Sequence, residues 1–551
     1  MKDINQSQSS SENSVKKVTL APHQEYFLEK VKKHYKEKGK LRFVVAWTMG
    51  TGKTYAMTSV ADYLLSQEPN KKILFISPKS LMGNFTDTVK KITNRKIKEF
   101  TKIENPENLH KEINDDNEIH VISNETFRKY GDKLIESGLY NTIIIDEAHY
   151  YRNPKSELTK RLFEVSPKVN NILLATGSLI NNRPEELGVY LHVLLGDEFP
   201  YGSDYKLFKN EFIEPVKKKI FSKKDRSIFA KSVLSGRIDF KKLPPPYNLK
   251  RVMDLGNLIK EHFDYIDIDR FKHKLPEKIE ENIEVYLSPE QEEYFANFIN
   301  NSFKEIYKLR KSGVPSEILK RIYHVNFTKL RQVVNDIGVV NPNIPLEERW
   351  KHTPKLHKMV MDVRNILAEN PNNRIAIYGS FVGNGLIPLL EGLKQNGIEA
   401  HIFSGDTPKE ERDKMVKDFN EGKIRVLLIS PAGIEGLSLY TGTHMLIMDP
   451  HPNPEKQKQT EARIIRLNSI PKQVKIIRYF AVPSKEENRK KALIYGVDWS
   501  LMGLAKMKEY LQLPIRHILT ELASNPKVSQ TILNDYYYKM ELILELLSFS
   551  E

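Results

Sequence analysis

The sequence predicts an α/β fold with two lobes built on parallel sheets, a helical insertion between the lobes and a helical C-terminal tail. Short aliphatic runs alternate with helix-like polar stretches at residues 20–190, and the same alternation returns at residues 374–482. This alternation is typical of parallel strands that helices cover on both faces. The segment between the two blocks is Lys-rich and helical in pattern, with breaks at prolines, which indicates an insertion.

The length agrees with more than one domain. A chain of 551 residues is far longer than a usual single domain, so at least two cores are expected. Amphipathic patterns near the end predict helices that either brace the second lobe or bind a partner. The predicted division is a disordered tail at 1–17, a first lobe at 18–205, a basic helical insertion and connector at 206–350, a second lobe at 351–484 and a helical tail at 485–551.

The composition favours a polyanion as partner. Lys and Arg number 86 against 71 Asp and Glu, a formal charge of +15, and a positive chain attracts nucleic acid through counterion release. A generally Lys-rich proteome would give the same balance. The absence of cysteine excludes disulfides, thiol catalysis and Cys-ligated metal sites. No apolar run approaches the length of a membrane span, so we expect a cytosolic protein without a membrane partner.

A glycine-rich loop joins the aliphatic run at residues 43–46 to a helix-like stretch. Strand, glycine loop, Lys-Thr and helix are the parts of a P-loop, whose backbone amides bind phosphate. Lys53 would add a positive charge, and Thr54 a hydroxyl for Mg²⁺. Trp47 stands where the general motif begins with Gly, and a plain strand-to-helix turn is the structural alternative. The predicted phosphate-binding residues are Met49, Gly50, Thr51, Gly52, Lys53 and Thr54.

Two adjacent carboxylates follow another buried strand of the same lobe. Residues 143–145 are aliphatic, and Asp146 and Glu147 come next, at the carboxyl end of the strand, where ligands of open α/β folds bind. Asp146 would hold Mg²⁺ through its water shell, and Glu147 would orient and deprotonate the attacking water. An acidic helix N-cap is the structural alternative. With the glycine loop upstream, the pair predicts hydrolysis of ATP with Mg²⁺ as the cofactor.

The glycine loop and the DEAH sequence at residues 146–149 belong to a series of motifs that resembles the superfamily 2 helicases, and within them the Swi/Snf-like ATPases, over residues 20–484. The resemblance implies two RecA-like lobes, with Gln24 in contact with the adenine base. The sequence LLATGS looks like the third helicase motif, although an ordinary strand-ending turn would also explain it. The residues that the resemblance implies in coupling hydrolysis to lobe movement are His149, Thr176, Ser178, Glu435 and Gly436.

The sequence QTEARIIR at residues 459–466 is similar to the sixth motif. Its spacing would place Gln459, Arg463 and Arg466 on one side of a helix, because positions i, i+4 and i+7 align. The resemblance implies that this face meets the nucleotide, with Arg466 as the arginine finger and Arg463 beside it. A guanidinium at the γ-phosphate spreads the charge that develops in the transition state. A solvated basic helix face is the structural alternative.

Further motifs imply contacts with a nucleic-acid backbone. SPKSL at residues 77–81 looks like the first nucleic-acid-contacting motif. Residues 405–407 with Arg412, and residues 429–439, resemble motifs of the second lobe. The candidate contact residues are Lys79, Ser80, Asn84, Ser123, Asn124, Ser404, Thr407 and Ser430. Residues 209–237 interleave bases with aromatics, which predicts either a grip on nucleic acid or a solvated protrusion whose Phe residues pack.

The sequences SPAGIEGLSL and RIIRLNS look more like poxvirus nucleoside triphosphatase I and its relatives in large cytoplasmic DNA viruses and linear plasmids than like chromatin remodellers. Ile470 departs from that group, whose members tend to carry a His there. The resemblance implies DNA-dependent ATP hydrolysis in transcription elongation or transcript release, in the cytoplasm or a virion, with RNA polymerase or other transcription proteins as partners. Two alternatives stay open, an RNA helicase and a nucleic-acid-binding scaffold without ATPase activity.

Overall fold

The computed structural model describes residues 19–48, 50–101, 109–177, 186–202, 205–214, 248–249, 252–266, 274–433, 437–451, 453–484, 497–499, 501–503 and 505–506. The chain divides into two compact units, with residues 1–45, 52–175 and 192–198 in the first and residues 46–51, 176–191 and 199–551 in the second. Over the described ranges, no helix combines the length and apolar character needed to cross a membrane.

Six parallel strands make up most of a seven-stranded sheet, the first of the two large sheets. They are β1 (Arg42–Trp47), β2 (Lys72–Ser77), β3 (Ile97–Phe100), β4 (Ile119–Ser123), β5 (Tyr140–Ile145) and β6 (Asn171–Ala175). They lie in the order β3-β4-β2-β5-β6-β1, and each strand is parallel to its neighbours in this order. Their carboxyl ends therefore share one edge, where β1 runs into the glycine loop and β5 into the acidic pair.

Helices connect these strands, as the alternating pattern predicts. They are α1 (Pro22–Lys38), α2 (Lys53–Gln67), α3 (Met82–Ile92), α4 (Leu109–Ile113), α5 (Asn124–Glu136) and α6 (Glu157–Val165). The strands read as continuous aliphatic runs because both of their faces are covered. Ile143, Ile144 and Ile145 of β5, for example, are completely buried. The parallel α/β architecture predicted for the first lobe is confirmed.

Short elements follow β6 in the chain. They are α7 (Glu186–Leu195), α8 (Tyr205–Phe212), β7 (Ile213–Glu214), β8 (Asn248–Leu249), α9 (Val252–His262) and β9 (Phe263–Ile266). Strands β7 and β8 form an antiparallel pair of their own. Strand β9 lies next to β1 in the first sheet. Most of the basic stretch at residues 209–237, and so its predicted grip on nucleic acid, lies outside the described residues.

The second unit contains a parallel sheet of six strands. They are β10 (Glu277–Tyr286), β11 (Ile375–Tyr378), β12 (His401–Phe403), β13 (Val426–Ile429), β14 (His444–Ile447) and β15 (Gln473–Val482). Their order is β10-β15-β14-β11-β13-β12. The helices of this part are α10 (Pro289–Lys311), α11 (Ser316–Asn335), α12 (Leu346–His352), α13 (Pro354–Glu369), α14 (Ile387–Gln395), α15 (Lys409–Glu421) and α16 (Pro454–Glu461).

The second sheet is also buried on both faces. Ile375 and Ile377 of β11 point into one core, which Leu389 of α14 helps to fill. Successive side chains of a strand alternate between faces, so Tyr378 packs in the opposite core with Phe419 of α15. The predicted second α/β lobe is therefore confirmed.

The prediction that residues 206–350 are helical is wrong for Glu277–Tyr286. This segment is strand β10, which pairs over its whole length with β15 of the second sheet. Its apolar residues Ile279, Ile283 and Val285 recur at every second or fourth position, and the latter two pack against the second core. Strand pairing and this period-2 burial outweigh the charged, helix-like composition. The second α/β unit thus begins before residue 351.

Part of the C-terminal tail packs on the second unit. Val497 and Leu501 are buried with Leu287, Leu330 and Ala481 in one apolar cluster. The bracing role that the sequence allowed for the tail is seen in this part. The predicted tail at 1–17 and most of 485–551 lie outside the described residues.

Candidate functional site

The glycine loop has the backbone that a P-loop needs. Gly50 and Gly52 have φ angles of 83° and 82°, in the left-handed region that favours glycine. Gly52 directly precedes α2, and a Cβ atom built on it would collide with the side-chain amide of Gln24. The left-handed conformation therefore favours glycine at position 52, and a side chain there would also displace the amide of Gln24. Met49 lies outside the described residues.

Gln24 is fixed beside this loop by two hydrogen bonds. Its Oε1 accepts from the backbone N–H of Ala21 at 2.8 Å, and its Nε2 donates to the carbonyl oxygen of Gly52 at 3.1 Å. Two distant parts of the sequence thus meet at the loop. The contact of Gln24 with adenine stays a prediction, and its position agrees with that role.

Lys53 and Thr54 are the first two residues of α2, whose first turn carries no acidic residue. The backbone N–H groups at a helix N-terminus favour an anion, because they are not used within the helix and carry partial positive charge. Lys53 adds a full charge at the same point, and its field opposes protonation of Asp146. Lys53 and Asp146 therefore interact electrostatically, although they follow different strands.

The acidic pair lies where β5 ends. The backbone N–H of Asp146 donates to the carbonyl oxygen of Ile76 in the neighbouring strand at 2.8 Å, and Oδ1 of Asp146 accepts from the N–H of Glu147 at 2.9 Å. Burial, together with the charge of Glu147, raises the pKa of Asp146 to about 7. Glu147 is buried and Asp146 is half-buried, and two such carboxylates side by side are costly unless a cation joins them.

Glu147 has an unusual backbone. Among the described residues it is the only non-glycine residue with a positive φ, at 50°, and this left-handed conformation is strained for a residue with a Cβ. The turn directs the carboxylate towards His149, whose Nδ1 lies 3.0 Å from Oε2 of Glu147. Strain of this kind collects at functional sites, where the geometry of one side chain matters more than stability.

These residues fit a magnesium nucleotide. The glycine loop takes a left-handed backbone at Gly52, and Lys53 and Thr54 open the adjoining helix. Asp146 and the Thr54 hydroxyl are oxygen ligands of the kind that Mg²⁺ prefers, and bound Mg²⁺ would neutralise charge on the phosphates. Glu147, next to Asp146 and oriented by its turn, can accept a proton from water.

The arginine segment departs from the prediction. Helix α16 ends at Glu461, so Gln459 lies on the helix, whereas Arg463 and Arg466 lie in the turns that follow it. The helical alignment of the three residues is therefore wrong. Ile464 is the physical reason, because its side chain is completely buried in the second core and draws the chain out of the helix. Tertiary packing here overrides the 3.6-residue period.

Both arginines are held by a segment near Leu437. Arg466 donates from Nη1 to Oγ of Ser438 at 3.0 Å, from Nη2 to the carbonyl oxygen of Leu437 at 3.0 Å and from Nε to the carbonyl oxygen of Ala462 at 2.9 Å. Arg463 donates to the same Leu437 oxygen at 3.3 Å. Burial lowers the pKa of Arg466 to about 10, so this guanidinium stays charged at neutral pH. Because both side chains are held by these hydrogen bonds, the alternative that they form a solvated basic helix face is excluded.

The nucleic-acid candidates of the first unit fall into two groups. Lys79, Ser80 and Asn84 are exposed beyond the end of β2. Ser123 caps α5 by accepting from the N–H of Thr126 at 3.1 Å, and Asn124 accepts from the hydroxyl of Tyr151 at 2.9 Å. The first group is exposed to solvent, whereas Ser123 is buried and Asn124 is half-buried.

The candidates of the second unit lie where β12 and β13 end. The hydroxyl of Thr407 accepts from the N–H of Ser404 at 3.1 Å. Ser430 is buried, and its hydroxyl has no hydrogen-bond partner among the described residues. A buried hydroxyl of this kind favours an outside acceptor. All eight contacts stay predictions.

The coupling residues are only partly described. Thr176 follows β6 and is completely buried, and His149 lies against Glu147. Ser178, Glu435 and Gly436 lie outside the described residues.

Sequence reasoning missed an ion network beside the arginine segment. Glu461, the last residue of α16, accepts from Nζ of Lys278 at 2.6 Å and also pairs with Arg478. Arg478 and Lys278 each pair with Glu280, at 2.8 and 2.9 Å. An Arg inside the aliphatic run VKIIRYF was the available signal, because a buried charge in a strand needs a partner.

A P-loop with an acidic pair in one parallel α/β unit, and a second parallel α/β unit that carries an arginine segment, define a P-loop ATPase of the two-lobed helicase class. The SNF2-related domain matches residues 31–339, and the helicase conserved C-terminal domain matches residues 358–468. The chain therefore belongs to the SNF2-related family of superfamily 2, whose members are ATP-hydrolysing enzymes.

Relatives with this organisation occur in viruses and eukaryotes. The chain is 24% identical to a provisionally named ATP-dependent RNA helicase of Acanthamoeba polyphaga mimivirus, over 76% of this chain and 79% of that protein. It is 26% identical to the ISWI chromatin-remodeling complex ATPase ISW1 of Saccharomyces cerevisiae, over 82% of this chain and 38% of that protein. Thus the chain spans less than half of the yeast protein.

Two solved structures are similar. One is the Sulfolobus solfataricus SWI2/SNF2 ATPase core in complex with dsDNA, with 20% identity, coverage of 95% of this chain and 98% of that chain, and a TM-score of 0.39. The other is the Pyrococcus furiosus Hef helicase domain, with 14% identity, coverage of 85% and 96%, and a TM-score of 0.49.

Proposed function

We propose that this protein is a DNA-dependent ATPase that couples ATP hydrolysis to movement along DNA, in transcription elongation or transcript release of a cytoplasmic DNA virus or plasmid. The observation that carries the ATPase part is the joint presence of Lys53 and Thr54 at the start of α2 and the neighbouring carboxylates of Asp146 and Glu147 at the end of β5. Membership of the SNF2-related family and a net charge of +15 support a nucleic-acid track.

Each side chain has one task in the proposed cycle. Lys53 and the amides at the start of α2 hold the phosphates, and Thr54 and Asp146 are the proposed ligands of Mg²⁺ and its water shell. Glu147 takes a proton from the attacking water. Arg466 stabilises the charge on the γ-phosphate, with Arg463 beside it. Because hydrolysis removes the phosphate that Arg466 contacts, it changes the relative stability of two conformations, which is the requirement for movement.

DNA is favoured over RNA as the track by the family, whose chromatin-remodeling members include the yeast relative. The mimivirus relative is named an RNA helicase, so RNA is the second candidate. The proposed setting in transcription, with RNA polymerase or other transcription proteins as partners, rests on the resemblance of the SPAGIEGLSL and RIIRLNS sequences to poxvirus nucleoside triphosphatase I. The same resemblance supports residence in the cytoplasm, with packaging in a virion.

The test is Mg²⁺-dependent ATP hydrolysis by the wild type and by Glu147→Gln, measured without polymer and with single-stranded DNA, duplex DNA or RNA. Each polymer is tested at two salt concentrations, because phosphate contacts weaken steeply as salt rises. DNA stimulation that falls with salt and vanishes in Glu147→Gln supports the proposal. Preferential stimulation by RNA would reassign the track, and a wild type inactive under every condition would favour a scaffold.

A further inference from the structure

Trp47 makes a contact that the P-loop motif does not require. It stands where the general motif begins with Gly, and its side chain is completely buried. Its Nε1 donates to Oδ2 of Asp264 at 2.7 Å. Asp264 belongs to β9, the short strand beside β1. A buried indole N–H normally finds an acceptor, but this acceptor is a carboxylate, and such charge-assisted bonds are stronger than neutral ones.

The same strand holds the next residue of the loop. The backbone N–H of Thr48 donates to the carbonyl oxygen of Ile266 at 2.9 Å. The carbonyl oxygen of Thr48 accepts from the hydroxyl of Thr51 at 2.7 Å. Both backbone groups of Thr48 are thus fixed, one by β9 and one by the loop itself. Gln24 holds the other end of the loop through Gly52.

The bond between Trp47 and Asp264 therefore ties the start of the phosphate loop to the segment that follows β8 and α9. A phosphate loop binds through several backbone amides at once, so a loop held in one conformation has less ordering entropy to lose on binding. Without this hydrogen bond, the loop would have the same amides, but they would no longer be held in the one orientation that binds phosphate. The effect would fall on nucleotide affinity rather than on the chemistry at Glu147.

We infer that Trp47 and Asp264 are positioning residues, which preorganise the phosphate loop and thereby set the affinity for ATP. The inference rests on the loop being the ATP site, and it is independent of which polymer the protein follows. The competing explanation is a purely structural role, in which the bond only satisfies a buried indole. The two explanations differ in whether ATP affinity changes when the bond is removed.

The chain offers a matched control for this test. Trp350 is also nearly buried, and its Nε1 donates to Oε1 of Gln395 at 3.1 Å. Trp350→Phe thus removes an indole hydrogen bond that has no contact with the loop. Trp47→Phe keeps the aromatic ring but removes the donor. Asp264→Leu removes the acceptor, and Asp264→Asn keeps an uncharged acceptor at the same place.

The experiment measures KM and kcat for ATP and the melting temperature of each variant. ATP binding is also measured in the Glu147→Gln background, where hydrolysis is blocked. We expect Trp47→Phe and Asp264→Leu to raise KM and Kd about two- to tenfold, the range that one hydrogen bond contributes. We expect kcat to stay within about twofold of wild type, and Asp264→Asn to retain most of the affinity. The double variant should bind ATP no more weakly than either single variant, because the two substitutions remove the same hydrogen bond.

Trp350→Phe should leave KM and Kd unchanged even where its melting temperature falls. The inference is overturned if Trp47→Phe and Asp264→Leu bind ATP as the wild type does, or if Trp350→Phe weakens binding equally. If Trp47→Phe does not fold, Asp264→Leu and Asp264→Asn carry the same comparison. Failure of DNA to stimulate a wild type that binds ATP would count against the proposed track and leave the affinity comparison intact.

Discussion

Arg466 donates from Nη2 to the carbonyl oxygen of Leu437 at 3.0 Å, and this bond holds the predicted finger against its own unit. The side chain also contacts Ser438 and Ala462. Arg466 therefore has a structural role in addition to the proposed catalytic role, and a simple loss of activity after mutation would not separate the two. A second arginine with the same kind of contacts is needed for comparison.

Arg466→Ala is expected to lower kcat by about 10³- to 10⁵-fold, the range measured for arginine fingers, with little change in KM for ATP. Arg425→Ala is the control, because Arg425 also donates to backbone carbonyl oxygens, those of Leu367, Asn370 and Asn373. Both variants should lose stability, and only Arg466→Ala should lose turnover. Steady-state kinetics with thermal melting would contradict the finger role if kcat fell by the same factor in both.

The strained turn at Glu147 predicts opposite effects on stability and activity. Glu147→Gly removes the cost of the left-handed conformation and should raise the stability by about 1 kcal/mol, while hydrolysis is lost. Glu147→Gln keeps the strain and should also lose hydrolysis, with kcat down by about 10²- to 10⁴-fold and ATP still bound. The measurements are thermal melting and ATP turnover.

Glu164→Gly is the control, since Glu164 lies in helix α6, where glycine costs about 1 kcal/mol. The two glycine variants should therefore shift the melting temperature in opposite directions. A fall in melting temperature for both would show that the turn at Glu147 stores no strain.

The sequence allowed the places of the glycine loop and the acidic pair in the fold to be predicted, and the reason is local. Gly50, Gly52, Asp146 and Glu147 owe their positions to the ends of two strands, and each strand is visible as an aliphatic run. The fold could be predicted for the same reason. The positions of residues that depend on contacts with distant parts of the chain could not be predicted from such local patterns.

Two features show the limit. The end of α16 depends on burial of Ile464 in a core that forms only when the second sheet is complete. The bond between Trp47 and Asp264 joins residues far apart in the chain. No local pattern records either contact, so helical spacing placed Arg463 and Arg466 on a helix that ends before them.

Mg²⁺ binding should depend on pH through Asp146. Its pKa is raised to about 7 by burial and by the charge of Glu147, and a proton on this carboxyl must leave before the carboxylate can bind Mg²⁺. Apparent Mg²⁺ affinity should therefore rise with pH up to about 7, by at most about tenfold per pH unit, and then level off. Calorimetric titration of Mg²⁺ with a non-hydrolysable ATP analogue would measure this profile.

The contribution of Asp146 to folding stability changes with pH in the opposite direction. Because the folded pKa lies above the unfolded value, the folded protein holds this proton more tightly, so this contribution to stability is present at low pH and is lost as pH rises to about 7. Glu147→Gln removes one cause of the raised pKa and should move the midpoint of the Mg²⁺ profile to lower pH. An unchanged profile in both Glu147→Gln and Asp146→Asn would assign the titration to another group.

The ion network at Glu461 should support the arginine segment. Glu461→Leu leaves Lys278 and Arg478 with Glu280 as a remaining partner, so the expected loss is on the order of 2 kcal/mol, below that of a fully broken buried pair. Turnover should fall as well, since Glu461 ends the helix that leads to Arg463 and Arg466. Glu281→Leu is the control, because Glu281 pairs with Lys475 on the same two strands but in solvent and should cost little. Equal effects of the two variants on kcat would refute the supporting role.

Asp498 of the C-terminal tail accepts from Nζ of Lys355 at 2.8 Å and from the N–H of Ala481 at 2.9 Å. Lys355 lies on α13, and both side chains are almost completely buried. A buried charge that loses its partner is costly, whereas replacing both charges by apolar groups can be neutral. Asp498 follows the second sheet in sequence. Through its pair with Lys355, this part of the tail is therefore expected to stabilise the second unit.

Asp498→Ala is expected to destabilise the protein by about 3 to 5 kcal/mol, because it leaves the ammonium of Lys355 buried without a carboxylate. The double variant Lys355→Met with Asp498→Leu should recover most of that loss, since it removes both charges and keeps the volume. Lys358→Met is the control on the same helix, because Lys358 pairs with Asp362 in a half-exposed position and should change stability by less than about 1 kcal/mol. Thermal melting of the full chain measures all three. If the double variant were as unstable as Asp498→Ala, the tail would act through its apolar contacts at Val497 and Leu501 and not through the buried charge pair.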